Sequence, residues 1–332
     1  MTGLWVATGA TGHIGYALAK HWETIGARYR LLLREHTPLF NGFHCGASLG
    51  DVTDRVSLEQ AFTGAETVFH LAGLIEVNSG NEDATWKVNV GGTRNVIAAC
   101  KSCGVKRLVY ASSVDALPPL PEGQMMREID RFCPEDVSGT YARTKALATQ
   151  LVLDAAEPGF EVAVCHPGAC VGPYDYKISN VGELVRMFLH GTFPVTMDFG
   201  GYNFVDVRDV ALGMTAAADP AKAPSGSCYL LTGEAIACGD LIELLAELCG
   251  RKAPKLVLHQ TLANTAAPVA EIYYKLRRQT PLFTRYSLRK LAENDHFSYE
   301  KAARELGYQP RGLRDSLTDM IAWIRENEPG HR

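Results

Sequence analysis

Tyr141-Ala-Arg-Thr-Lys145 sets a phenol and an ammonium four positions apart. On a helix that spacing puts both side chains on one face. A free phenol titrates at about 10 and is a poor acid or base at neutral pH, but a nearby cation stabilises phenolate and brings it toward the working range. The pair is therefore a candidate for general acid–base work on a carbonyl or an alcohol. A hydroxyl that could hold the substrate oxygen against the phenol stands in Tyr110-Ala-Ser-Ser-Val114, where Ser112 and Ser113 close a short apolar run. For either serine taken singly, the plain alternative is turn chemistry after a strand.

The second constellation is Thr8-Gly9-Ala10-Thr11-Gly12-His13-Ile14-Gly15. It follows the apolar run Leu4–Ala7 and opens an amphipathic stretch, the strand–turn–helix context that a phosphate-cradling loop requires. Gly9 allows the tight turn, Gly12 lets backbone N–H groups approach a pyrophosphate, and Gly15 lets the helix pack close to the strand. Thr11, His13 and Ile14 complete the loop. A dinucleotide is the expected ligand. After the next apolar run, an acid would suit the ribose 2′-hydroxyl of NAD. Tyr29-Arg-Leu-Leu-Leu-Arg34 ends instead on a guanidinium, which suits a 2′-phosphate. NADP(H) is therefore preferred, with NAD(H) the alternative if Arg34 stacks on adenine or Glu35 serves the ribose.

These groups need elements to carry them. Strands are expected at Leu4–Thr8, Tyr29–Arg34, Thr67–Leu71, Arg107–Ala111 and Glu161–Pro167, with helices near 13–26, 53–62, 83–103 and 138–156. That alternation predicts an α/β fold, a doubly wound parallel sheet of the Rossmann type. After Pro167 the rhythm breaks. Residues 171–202 are rich in Gly, Pro and Tyr, with one helix around 180–190. Short strands are expected at Phe204–Val207 and Ser227–Leu231, and helices at Asp209–Ala218, Cys238–Leu248, about 259–276 and Tyr299–Leu306. The expected division is a dinucleotide-binding domain of 1–170 and 203–232, and a smaller, mostly helical substrate domain of 171–202 and 233–332.

The 332 residues, 46% hydrophobic and 21% charged, suffice for one large α/β domain with an appendage. A net charge of −4 without a basic block argues against a nucleic-acid partner. No apolar run reaches the roughly 18–20 residues of a membrane helix, and the first apolar run begins too early for a signal peptide. Nine scattered cysteines read as reduced thiols, so a cytoplasmic location is expected. Cys100 and Cys103 lack the second ligand pair that a zinc site needs and read as helix-end thiols; no metal is expected.

The TGxxGxxG turn, the strand-end serines and YxxxK together resemble the extended short-chain dehydrogenases/reductases of the NAD-dependent epimerase/dehydratase superfamily. Further stretches match that pattern in order. Val68-Phe-His-Leu-Ala-Gly73 resembles the HxAA stretch under the cofactor, which implicates Leu71, Ala72 and Gly73. Gly50-Asp51-Val52 resembles the pair at the adenine edge, although Asp51 or Thr53 could also cap the next helix. Asn89-Val-Gly-Gly-Thr93 is similar to the helix that braces the central strands. His166-Pro-Gly-Ala-Cys-Val-Gly-Pro173 is similar to the RPxxVYGP loop, which places Pro167, Ala169 and Cys170 beside the nicotinamide. Phe204-Val-Asp-Val-Arg-Asp-Val-Ala211 and Lys301–Pro310 extend the likeness over most of the chain. By alignment with the family's serine pair, Ser113 is the catalytic serine, with Ser112 in reserve near the cofactor.

The departures discriminate among activities. His166 replaces the usual Arg and reads as a packed, hydrogen-bonded residue, and Cys170-Val171 replaces Val-Tyr. Asp115-Ala116 follows the serines without the Val-Tyr-Gly of many sugar-nucleotide enzymes. The chain looks most like the dihydroflavonol-reductase and 3β-hydroxysteroid-dehydrogenase members. This implies an oxidoreductase interconverting a carbonyl and a secondary alcohol on a hydrophobic small molecule. Aromatic residues of the variable regions (Tyr174, Tyr176, Phe188, Phe199, Tyr202, Tyr273 and Tyr274 among them) could line such a site, although core packing is the expected fate of most. The alternatives are an NAD-dependent nucleotide-sugar epimerase or dehydratase, using Arg186, Arg277, Arg278 or Arg285 for the pyrophosphate, and a non-catalytic redox sensor. A homodimer is expected from the resemblance alone.

Overall fold

The computed structural model describes residues 3–75, 82–261, 263, 265, 288 and 290–328. Its centre is a seven-stranded parallel sheet. The strands are β1 (Leu4–Thr8), β2 (Tyr29–Leu33), β3 (Gly46–Leu49), β4 (Ala65–His70), β5 (Arg107–Ala111), β6 (Glu161–Pro167) and, after three intervening short strands, β10 (Ser227–Leu231). They lie in the order β3-β2-β1-β4-β5-β6-β10. Parallel neighbours need crossovers, and the helices that supply them cover both faces. The chain direction reverses its march across the sheet between β1 and β4, the place where open α/β sheets bind ligands beyond their carboxyl ends.

The inner strands are apolar on both faces, as burial on both sides requires. On one face Val6, Val68, Leu108 and Val162 pack against α2 (Arg55–Phe62), α4 (Gly92–Ser102) and α5 (Thr140–Asp154). On the other, Trp5, Phe69, Val109 and Tyr229 pack against α1 (His13–Thr24), α7 (Val207–Ala216) and α9 (Glu300–Leu306). Trp22 is fully buried there, and its indole N–H donates to the Thr215 hydroxyl at 3.1 Å, tying α1 to α7.

A third core lies apart from the main sheet. It joins α6 (Asn180–His190), α8 (Cys238–Leu248) and α10 (Leu313–Asn327) through Phe188, Leu241, Leu245, Leu317 and Ile321. A small sheet of β11 (Glu234–Ala237), β9 (Gly201–Asp206) and β7 (Ala169–Val171) borders it, and β8 (Thr196–Met197) pairs with β12 (Val257–Leu258). Ser227–Leu231 thus completes the main sheet beside β6, whereas the strand around Phe204 belongs to the small sheet. Phe188, Phe193, Phe199 and Tyr202 pack in or against the third core. Tyr273 and Tyr274, most of the helix expected near 259–276, and Arg277, Arg278 and Arg285 lie outside the described residues.

The helix expected over 83–103 is a composite: α3 (Glu82–Trp86), a π-helical turn at Lys87–Gly91, then α4. The inserted residue of a π turn re-aims the side chains beside it. Here it aims Asn89 inward, where its amide donates to Leu74 O and to the Thr144 hydroxyl, both at 3.0 Å, and its carbonyl accepts from Leu74 N–H at 2.8 Å. The loop after β4 and the start of α5 are thereby fixed to each other.

Candidate active site

The glycine turn is built as a close backbone contact. Gly9 has φ 74, and a Cβ there would fall 2.6 Å from Ala72 N. A Cβ on Gly15 would fall 2.3 Å from Gly9 O. No larger residue fits without moving backbone, so α1 approaches β1 as near as a dinucleotide cradle requires. Gly12 N–H donates to Gly9 O at 3.0 Å, and Gly12 stands at the N-terminus of α1, whose first amides carry partial positive charge. Ile14 packs against the adjoining core.

Beneath the turn a polar chain fixes the carboxyl ends of β1 and β4. Thr93 donates to Asn89 O at 2.6 Å, so its oxygen accepts from His70 Nε2–H at 3.0 Å. His70 Nδ1 is then the acceptor of the Thr8 hydroxyl at 2.8 Å, and the Thr8 oxygen accepts Ala72 N–H at 3.3 Å. Burial, and next the charge of Lys145, push His70 down to about 3, so the ring is neutral and this tautomer is the one the chain needs. Leu71 N–H donates to Thr8 O at 3.3 Å. Leu71, Ala72 and Gly73 thus run past the glycine turn, and a Cβ on Gly73 would lie 3.6 Å from Lys145 Nζ.

Gly139, at φ 92, turns the chain into α5 two residues before Tyr141. The buried Tyr141 phenol lies beside the Ser113 side chain. Burial raises its titration above the ordinary tyrosine range and Asp115 adds to the rise, while the Ser113 hydroxyl opposes it. Lys145, one turn on, donates to Ala111 O at 2.7 Å and to the Tyr110 hydroxyl at 3.5 Å, with its ammonium 4.9 Å from the Tyr110 ring centre. Burial lowers it to about 7. The expectation that the ammonium brings the phenol down is thus not what governs this arrangement. Desolvation dominates both groups, because each sits under the sheet's carboxyl edge away from water.

The two serines part company. Ser112 is buried with its hydroxyl 2.6 Å from that of Thr149, which donates to Lys145 O at 2.7 Å, so Ser112 braces α5. Ser113 faces Tyr141, and its oxygen also accepts Asp115 N–H at 3.2 Å. His166 Nδ1–H donates to the main-chain carbonyl of Ser113 at 3.1 Å, and its ring stacks on Phe132 at 5.0 Å. Burial pushes it down to about 4. This histidine is a neutral brace that fixes the serine's backbone.

Around the rim, Asp51 Oδ1 accepts both the N–H and the hydroxyl of Thr53 at 2.8 Å. Burial pushes its carboxyl up, but those bonds and the charges of Arg34 and Lys87 outweigh it and hold the group below the ordinary range. The cap of α2 is Asp54, which accepts Val56 N–H at 3.0 Å; neither Asp51 nor Thr53 takes that place. Val52 is buried under Gly92. Arg34 is exposed at the end of β2. Pro167 closes β6, and Ala169 and Cys170 pair with Phe204 and Val205 in β7. Burial first, then Asp206 and Asp175, push the Cys170 thiol up to about 12, so it stays protonated. The His13 ring lies 2.8 Å from Pro173 O, which ties the start of α1 to the segment after β7.

Two cations escaped the sequence reading because their partners are remote in the chain. Lys177 donates to the Thr11 hydroxyl at 2.8 Å. Lys290 pairs with Asp115 at 3.3 Å and Glu293 at 2.8 Å, at a cavity lined by Val114, Asp115, Met126, Tyr202 and Phe297. Arg186 is buried between Asp175 and Glu328, spent on structure. Among the described residues no cluster of three or more metal-ligating side chains occurs, and no helix is long and apolar enough to cross a membrane.

A glycine turn at the switch point of a doubly wound sheet, with a tyrosine, lysine and serine beside it, defines a dinucleotide-dependent enzyme of the extended short-chain type. The chain belongs to the NAD dependent epimerase/dehydratase family, whose pattern it matches over residues 5–231. It is an NAD(P)-dependent oxidoreductase. "Sterol demethylase protein B" of Methylococcus capsulatus is 32% identical over 327 residues, covering 97% of this chain and 98% of that protein. "2-alkyl-3-oxoalkanoate reductase" of Stenotrophomonas maltophilia is 30% identical over 319 residues, 92% of this chain and 94% of that one. "3beta-hydroxysteroid-dehydrogenase/decarboxylase isoform 1" of Arabidopsis thaliana is 27% identical over 299 residues, 84% and 67%. Among solved structures, that of gox2253 superposes with a TM-score of 0.85 at 32% identity, covering 98% of this chain and 99% of that one.

Proposed function

We propose that the protein is an NADP(H)-dependent oxidoreductase that interconverts a carbonyl and a secondary alcohol on a mainly hydrophobic small molecule. The observation that carries this reading is the convergence of the Ser113 side chain and the buried Tyr141 phenol at the sheet's carboxyl edge, with Lys145 one helical turn away and the glycine turn alongside. The glycine cradle fits a dinucleotide, since Gly9 and Gly15 leave no room for a Cβ. Bound there, the nicotinamide would supply or accept the hydride. The backbone from Gly9 to Gly15 would hold the pyrophosphate and Asp51 with Val52 the adenine edge. Leu71–Gly73, Ser112, Pro167, Ala169 and Cys170 would border the rest of the cofactor, and Lys145 would hold the nicotinamide ribose.

In reduction, Ser113 and Tyr141 would both hydrogen-bond the substrate oxygen, and Tyr141 would pass it a proton as negative charge develops there. A phenol whose titration burial has raised is protonated at neutral pH, the state a proton donor needs. His166 and Ser112 would keep the serine and α5 in register. The division into a nucleotide unit of 1–170 and 203–232 and a substrate unit of 171–202 and 233–332 follows the same logic, with the third core shaping the substrate's side. Three relatives named for sterol, oxoalkanoate or hydroxysteroid chemistry support a hydrophobic substrate. The commitment of Arg186 to Asp175 and Glu328 disfavours a nucleotide-sugar pyrophosphate.

The test is purified protein with NADPH or NADH and a panel of hydrophobic ketones, hydroxysteroids and nucleotide sugars. Stoichiometric loss of NADPH with a ketone, and none with nucleotide sugars, is the expected result. Conversion of a nucleotide sugar without net change in the cofactor would replace this reading with the epimerase one.

A further inference from the structure

Residues 172–179 form a strap that leaves the small sheet and crosses over the glycine turn. Its backbone is strained: Tyr174 has φ 77 and Ile178 φ 52, left-handed values that a bulky or β-branched residue adopts only where its surroundings impose them. Those surroundings are visible. Pro173 O receives the His13 ring at 2.8 Å, and the rings of Tyr174 and Tyr176 pack on Tyr16 at 5.3 and 4.9 Å. Tyr176 also packs on Trp323 at 4.9 Å. Asp175 accepts Ser179 N–H and its hydroxyl, and lies 3.7 Å from Arg186. So fixed, the strap carries Lys177 across the cleft to the Thr11 hydroxyl, within the field of Arg34.

This ammonium donates to a neutral hydroxyl, and two charges act on it, the like charge of Arg34 and, more weakly, the opposite charge of Glu35. Glu35 offsets the repulsion between the two cations only in part, and a multivalent anion seated between them would relieve the rest. A ribose 2′-phosphate carries between one and two negative charges near neutral pH, with oxygens enough for a guanidinium fork and an ammonium at once.

We propose that Lys177 and Arg34 together form a two-cation seat for the phosphate monoester on the adenosine ribose of NADP(H), with Lys177 the half contributed across the cleft by the strap. This rests on the NADP(H) reading above. Arg34 alone could stack on adenine and serve either cofactor; with Lys177 opposite it, the rim selects the phosphorylated one. Because the strap also clasps α1 through His13 and Tyr16, filling the seat ties the two sides of the cleft together.

The experiment is a set of dissociation constants by calorimetry for 2′,5′-ADP, 5′-AMP, NADPH and NADH, with wild type, K177M and K177R. Wild type should bind 2′,5′-ADP and NADPH more tightly than 5′-AMP and NADH. Loss of one charge-assisted contact in K177M should weaken 2′,5′-ADP and NADPH about tenfold and the other two less than about twofold, with K177R recovering most of the loss. Unchanged 5′-AMP binding certifies that K177M is folded. Wild type that holds NADH as well as NADPH would overturn the cofactor preference and the seat with it. Wild-type preference for NADPH that survives intact in K177M, or an equal loss for all four ligands, would overturn the seat alone.

Discussion

Ser113 and Ser112 are adjacent in sequence, yet one faces the Tyr141 phenol and the other the Thr149 hydroxyl. Replacing them separates the two roles. S113A should lower kcat by about a hundredfold or more with cofactor affinity preserved, as removal of a hydroxyl that holds a reacting oxygen does. S112A should instead lower stability by about 1–3 kcal/mol through an unsatisfied buried partner, measured by urea unfolding, with a smaller effect on kcat. Comparable kcat losses without a stability difference would reverse the assignment. The two buried histidines make a second prediction. His70 and His166 titrate at about 3 and about 4 in the folded chain, below the ordinary histidine value of about 6.5. As pH falls through that value the unfolded chain takes up protons that the folded one refuses. Stability is therefore full above pH 6.5 and declines toward pH 4, by up to about 1.4 kcal/mol per pH unit for each ring. Unfolding curves across that range check it, and H166F should flatten the decline. Tyr141, Lys145 and the glycines were legible in the sequence because their partners are near in the chain or their spacing is helical. Lys177 and Lys290 were not, since a lone lysine becomes informative only when Thr11 or Asp115 is seen beside it.

Elements were read best where burial imposes a pattern. Leu4–Thr8, Arg107–Ala111, Glu161–Pro167 and Ser227–Leu231 are apolar enough to declare themselves, and their expected bounds match the strands. Gly46–Leu49 was missed: it is an edge strand, largely exposed, and its Gly-Ala-Ser-Leu run has neither alternation nor β-branched residues. The π turn at Lys87–Gly91 was also illegible, because periodicity cannot show one inserted residue within a helix. The β1–α1 junction yields the element-scale prediction. G15A places a methyl 2.3 Å from Gly9 O, so α1 must shift from β1. Affinity for NADPH and NADH should fall together by more than about tenfold, with stability lower by about 1–3 kcal/mol. Unaltered affinity for both, measured by fluorescence titration, would mean that the turn does not cradle the cofactor.

At the scale of the whole molecule, a seven-stranded sheet, a separate helical core and a strap between them place one hydroxyl pair and one lysine at the cleft. The doubly wound sheet could be foreseen, because alternating strands and helices allow few other arrangements. The small sheet could not, since its strands pair residues as distant as Ala169, Phe204 and Glu234. Tyr141→Phe tests the catalytic centre most directly, because it removes a single oxygen from a buried site. With NADPH and a ketone that wild type reduces, kcat should fall by about a thousandfold or more, while the dissociation constant for NADPH stays within about twofold. Turnover retained at a wild-type rate, with the cofactor bound equally well, would contradict the assignment of the proton to Tyr141.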